Sequence, residues 1–165
     1  MFLSDTAREM REEVRSNITL VALRPYDDVN SGDMRIVALP AKHTAGEECL
    51  VYYIHRGGTG ALLLNDTGVL DKSVYERAAD MGAKANIVAM DCTYGARKHG
   101  AGRHMGLYDI VEQRELMQQA GLLAPDAQVY ATHFSHNSDL DYDGLCAAAK
   151  PHGVHIAYDG LVVRA

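Results

Sequence analysis

The chain has 165 residues, 47% of them hydrophobic and 23% charged, with a formal net charge of −6. That balance supports one folded domain over 1–165 and excludes a disordered chain. The acidic total disfavours a broad nucleic-acid footprint, and the only basic cluster, Arg97, Lys98 and Arg103, is modest.

The opening MFLSDTAREMREEVR is charged within a few residues and has no apolar core, so it does not read as a signal peptide. Residues 6–16 read as a helix, with Thr6 and Glu9 at capping-box spacing. β-type runs follow at 18–23, 34–39, 50–55 and 61–65. Turns at 30–33 and 56–60 separate them, the second well suited to a hairpin. The pattern then changes. A helix over 73–81 leads to an apolar strand over 86–90, which ends on Asp91 and gives way to a Gly- and His-rich loop over 92–102. A helix over 107–120 stops at Gly121 and Pro125, and a strand over 128–132 ends at His133. A helix over 141–149 precedes a final strand pair at 154–158 and 161–163, with Asp159-Gly160 as its turn. An early meander followed by strands alternating with helices signals an α/β layer.

Cys49, Cys92 and Cys146 are an odd set without CxxC spacing, which fits reduced thiols better than a disulfide framework or a thiolate zinc site. Cys92 reads as buried and not nucleophilic, since no neighbour in sequence would lower its pKa. No run approaches the roughly 20 apolar residues of a membrane span. A cytoplasmic protein with no membrane partner is expected.

Eight histidines are present, and several polar residues fall where strands end. His43 precedes a strand, and Asp66, Asp91 and His133 each follow one. In open α/β sheets the strand ends form the rim where ligands bind. Imidazole and carboxylate donors there suit zinc, manganese or iron, and one carboxylate can bridge two ions. Each residue alone is equally a hydrogen-bonded strand terminus; their recurrence is what points to a site. Asp91 either orients a neighbour such as His104 or caps the following loop. His136 is a candidate to orient a ligand or touch substrate, whereas His55, His152 and His155 read as strand-end or surface residues.

Five segments occur in order: Ala41-Lys42-His43, Leu64-Asn65-Asp66-Thr67-Gly68, Asp91-Cys92-Thr93-Tyr94 with His104-Met105, Thr132-His133-Phe134-Ser135-His136, and Ala157-Tyr158-Asp159-Gly160. From about residue 18 onward the sequence resembles the C-terminal half of the metallo-β-lactamase-fold phosphodiesterases. The resemblance is strongest to the cyclic phosphodiesterase of the carbon–phosphorus lyase pathway and to the endonuclease that processes transfer-RNA 3′ ends. It implies the second half of an αββα sandwich, one mixed sheet with helices on its outer face. It also implies two zinc or manganese ions, with His43 on the first, Asp66 bridging both and His133 on the second. His104 corresponds to a histidine that contacts phosphate and protonates the leaving group, which suits an imidazole near neutral pH.

The family's first half carries His-x-His-x-Asp-His, the source of four of its usual seven protein ligands, and no such segment occurs here. Three ligands over two ions leave each ion about one short of the usual catalytic complement. The lone chain is therefore expected to hold metal weakly and to hydrolyse slowly or not at all. The missing half would also leave one sheet face bare, with Tyr52, Ile54, Leu62, Leu64, Val88 and Tyr130 as candidates to line it. Covering several hundred Å2 of such a face is worth on the order of 10 kcal/mol before association costs. The expected partners are a second copy or a complementary N-terminal half, with a small phosphodiester as substrate. A non-catalytic dimeric or binding remnant of the fold is the alternative. A nucleotide-binding α/β domain is disfavoured because GxGxxG and Walker-lysine motifs are absent.

Overall fold

Alternating apolar runs closed by glycine turns give this chain a meander, and longer polar connections then convert it to crossovers. A computed structural model describes residues 21–97, 102–136 and 138–164. The helix expected over 6–16 lies outside the described residues, as do residues 18–20, Lys98 and His99. Residues 21–23 form no strand, so the described part of the expected 18–23 strand is corrected.

The first four strands are β1 (Asp28–Ser31), β2 (Met34–Ala41), β3 (Cys49–Arg56) and β4 (Thr59–Leu64), all paired antiparallel. β1 occupies part of the stretch expected to be turn, because Ser31 pairs with Met34 and only Gly32 and Asp33 remain to reverse the chain. Gly57 and Gly58 close β3 onto β4 with φ of 58° and 87°, the left-handed pair that a two-residue hairpin demands. From β4 onward the neighbours are parallel: β5 (Ala85–Asp91), β6 (Leu123–Thr132) and β7 (His155–Ile156). The crossovers carry α1 (Lys72–Asp80), α2 (Leu107–Gln119) and α3 (Tyr142–Ala149). Strand order follows chain order across the seven-stranded sheet, so right-handed crossovers place these three helices on one face. The expected mixed α/β sheet with helices on its outer face is observed. No helix among the described residues is long and apolar enough to cross a membrane.

Helix ends follow local chemistry. Asp141 caps α3 by accepting the Gly144 N–H at 2.8 Å. α2 ends where Gly121 turns left-handed (φ 72°) and the Leu122 N–H reaches back to the Met117 carbonyl at 3.0 Å. β6 begins five residues before the expected start at 128 and includes Pro125. Proline is tolerated there because the β5–β6 register is irregular at that end, so no ladder bond is lost. The expected closing hairpin forms only its turn: the Leu161 N–H bonds the Tyr158 carbonyl at 3.0 Å, and residues 161–163 pair with no strand.

The core lies between sheet and helices. Val51, Tyr53, Leu62, Leu64, Val88, Met90, Val129 and Ala131 point into it and meet Tyr75, Leu107, Ile110 and Met117, all of them essentially inaccessible. Leu62, Leu64 and Val88 were expected on the bare face and instead turn toward the helices. Strand alternation puts the adjacent residues on the bare face. Register aligns Ile54 with Ala61 and Ile87, and Tyr52 with Leu63, Ala89 and Tyr130. Tyr52, Ile54 and Tyr130 thus face the open side as expected, and Leu63 is 37% exposed there. Leu62→Ala should destabilise the chain by about 2–5 kcal/mol in urea unfolding, as for a fully buried leucine, whereas Leu63→Ala should cost under about 1 kcal/mol.

Candidate metal centre

Strands β4, β5 and β6 run parallel, and two antiparallel steps return β2 to their direction, so four strand C-termini share one rim. Asp91 is the last residue of β5 and His133 directly follows β6. Asp66 lies two residues beyond β4, and His43 two beyond β2, in a long β2–β3 connection. His104 lies on the loop that enters α2.

The loops are tied before the site is formed. The Thr67 hydroxyl oxygen accepts the Lys42 N–H at 3.0 Å, and the Gly68 N–H donates to the Lys42 carbonyl at 2.8 Å, which locks the His43 and Asp66 loops together. A Cβ on Gly68 would sit 1.8 Å from the Gly102 carbonyl oxygen, so glycine is what lets the His104 loop close on them. The Thr132 hydroxyl donates to Asn65 Oδ1 at 3.0 Å and couples the Asp66 loop to the end of β6. Asp66 and His133 are both left-handed, with φ of 56° and 57°. Such a conformation costs about 1–3 kcal/mol in a non-glycine residue and collects at functional sites.

Asp66, Asp91, His104 and His133 each offer a donor atom within 4.8 Å of the others. Asp91 is fully buried and accepts from the Thr93 N–H at 2.9 Å, the Met105 N–H at 3.2 Å and His104 Nδ1 at 2.9 Å. Both roles considered for Asp91, orienting His104 and capping the loop, are therefore filled at once. Thr93 donates its hydroxyl proton to the His133 carbonyl at 3.1 Å. Its oxygen then accepts from Nδ1 of His133 at 2.9 Å and of His104 at 3.2 Å. With Nδ1 acting as donor on both rings, each Nε2 presents a lone pair.

His43 lies outside that group of four yet faces it. Its Nδ1 is 3.4 Å from the Arg103 carbonyl, and its Nε2 is 3.3 Å from Asp66 Oδ2. The other carboxylate oxygen, Oδ1, is 3.5 Å from His133 Nε2. Asp66 thus sits between two imidazole nitrogens whose rings spend their other nitrogen on a neighbour. Lone pairs facing a carboxylate at this distance call for a cation between them, either a proton on each ring or a metal ion. The nitrogen and oxygen donor set, without thiolate, fits zinc, manganese or iron. Cys92 is buried, its thiol pushed up to about 12 by that burial and by the neighbouring Asp91 carboxylate, and it is not one of the donor group.

The structure brings together five of the six residues singled out in the sequence. His136 is exposed on the turn after β6 and is not one of the donor group. Thr93, Asn65 and Thr67 carry no charge and were passed over, although Thr93 and Thr67 stand beside assigned aspartates.

Solved structures share this architecture. The metallo-β-lactamase fold protein YhfI from Bacillus subtilis matches with a TM-score of 0.62 at 20% identity, over 86% of this chain and 54% of its own. The isothiocyanate hydrolase from Delia radicum gut bacteria matches at 0.62 and 14% identity, over 90% of this chain and 60% of its own. Zn(2+)-bound PqqB from Methylobacterium extorquens matches at 0.57 and 15% identity, over 87% of this chain and 55% of its own. The fold is that of the metallo-β-lactamase-fold proteins. The chain spans little more than half the length of these structures. No protein-family model and no curated protein matches it in sequence.

The tautomers can be read directly. Long-range 15N–1H NMR should show Nδ1–H on His104 and His133, and Thr93→Val should move His133 toward the Nε2–H form while Thr93→Ser preserves Nδ1–H. An unchanged His133 pattern in Thr93→Val would exclude Thr93 as the group that sets it.

Proposed function

We propose that this chain carries one wall of a metal-dependent hydrolase site whose substrates are phosphodiesters. His43, Asp66 and His133 would hold zinc or manganese, and His104, backed by Asp91, would deliver a proton to the leaving oxygen. The observation that carries this reading is the placement of Asp66 between His43 Nε2 and His133 Nε2, one carboxylate oxygen toward each. That arrangement suits a carboxylate shared by two cations better than a salt bridge, which would need only one histidine. When bound, the ions would lower the pKa of water and neutralise charge on the phosphoryl oxygens.

The chain's own groups supply the rest. Asp91 holds Nδ1 of His104, so proton exchange falls to Nε2, and the buried carboxylate stabilises the imidazolium that forms while the ring waits for its substrate. Passing that proton to the departing alkoxide releases an alcohol as the phosphorus–oxygen ester bond breaks and water's oxygen takes its place. The order of the Asp-Thr-Gly and Thr-His-Phe-Ser-His segments, with His104 brought between them, favours phosphorus over other hydrolase centres. With so few donors for two ions, and one sheet face bare, a second copy or a complementary segment would complete both shell and sandwich.

Manganese binding read by EPR should be lost in Asp66→Ala and weakened at least tenfold in His43→Ala. His104→Ala should leave it within twofold while lowering whatever phosphodiester hydrolysis the chain shows, more for an alkyl ester than for bis-p-nitrophenyl phosphate, whose p-nitrophenolate leaves with little need of a proton. Manganese binding in Asp66→Ala equal to that of the unaltered chain would refute the assignment.

A further inference from the structure

Beside the donor group opens a groove of about 580 Å3 that shares His133 with it. Phe134, Tyr142 and Tyr158 form its apolar walls, and Thr132, His133 and Asp159 are its polar ones. The three aromatic side chains come from different parts of the chain: the segment after β6, the first turn of α3 and the segment after β7. They are 38%, 47% and 58% exposed, among the most accessible large apolar residues described. Tyr142 and Tyr158 stand edge to face at 87°, their centroids 6.4 Å apart, which leaves ring surface of Tyr158 turned to solvent.

Aromatic rings left in water at three converging positions are unfavourable unless something covers them. Two features make the occupant a small molecule. The volume falls within the range of roughly 300–1,000 Å3 typical of small-ligand sites. The walls also mix flat apolar surface with a few polar groups that fix orientation, and one of those, His133, belongs to the donor group itself. The groove adjoins a second cavity at the sheet edge, where Tyr130 stacks on His155 with rings 5.0 Å apart and Tyr142 and Tyr158 are shared walls.

We propose that this groove binds a planar aromatic ring, of the size of a substituted phenyl group or a nucleobase, carried on the phosphate ester. It thereby sets preference for aryl or nucleoside esters over alkyl ones. The phosphate would lie at His133 and the ring against Tyr158 and Phe134, with the Asp159 carboxylate at the rim to accept from ring N–H groups. This specificity rests on the hydrolase reading above, but the ring-binding surface itself needs no metal.

The test is a set of NMR titrations on the full chain with adenosine 5′-monophosphate, phenyl phosphate and methyl phosphate, each with and without zinc. Manganese EPR on the same samples reports the metal site separately. At least one aromatic ester should bind roughly tenfold or more tightly than methyl phosphate, the gain that stacking on one ring gives. Tyr158→Ala should bring the three Kd values within about twofold, and Tyr158→Phe should keep the preference. Tighter adenosine monophosphate identifies a nucleobase, and tighter phenyl phosphate an aryl ring; both support the groove. Equal Kd values for the three esters, or a preference unmoved by Tyr158→Ala, would overturn it. Manganese binding without any aromatic preference sinks the groove alone, whereas preference without metal binding sinks the hydrolase reading and leaves the ring site standing.

Discussion

A carboxylate with no solvent exposure must find its hydrogen bonds inside the protein, and at the end of β5 Asp91 does so in a way that organises the whole rim. Its partners are the Thr93 and Met105 backbone N–H groups and His104 Nδ1, at 2.9–3.2 Å, with His133 Nδ1 3.3 Å away. Burying a charge this completely is costly unless it is paired and hydrogen-bonded, so these contacts are a condition of folding as well as of chemistry. The backbone bonds fix where the chain leaves β5 and where it enters α2. The bond to His104, with the Thr93 hydroxyl bridging to His133, then orients two imidazoles from loops that are far apart in sequence. His104 and His133 come to lie nearly stacked, 20° apart in plane with centroids at 5.7 Å, because both answer to one carboxylate and one threonine hydroxyl.

The same sheet that ends in this rim is finished on only one face. Three helices seal the side of Leu62, Leu64 and Val88, while the side of Tyr52, Leu63 and Tyr130 has no layer among the described residues. Site and assembly are thereby linked. The donor atoms lie at the strand ends between the two faces, so whatever covers the bare face also borders this donor group. On the proposed reading, a single partner would both add donors at this rim and cover the apolar face. Solvent access to Asp66 and His133, half-open at this rim, would fall at the same time.

Much of this was legible in the sequence. Glycine pairs, alternating apolar runs and capping residues located five of the seven strands and the three described helices to within a residue or two. The short β1 was hidden inside a turn signal, because Ser31 and Asn30 favour turns in isolation and pair only once Met34 is fixed opposite. The early start of β6 was concealed by Pro125, which ordinarily argues against a strand. The bare face was assigned one residue out of step at Leu62, Leu64 and Val88. Apolar residues occupy both faces of β4 and β5, so period-2 alternation carries no signal about which side is covered. At the site, charged and imidazole residues stood out while the neutral threonines that orient them did not. Spacing along the chain shows which groups are present, and only the fold shows which nitrogen of each ring is already engaged.

That distinction decides how far structure carries function here. Proteins sharing this fold include a zinc-bound one and a hydrolase of isothiocyanates, so the fold by itself does not choose the reaction. What belongs to this chain is local: two left-handed non-glycine residues, Asp66 and His133, held at strained φ on the same rim. These loops place Asp66 Oδ2 3.3 Å from His43 Nε2 and Oδ1 3.5 Å from His133 Nε2. The rim is stapled in place by Thr67, Gly68, Asn65 and Asp91, so the fold's own hydrogen bonds hold these donor atoms together.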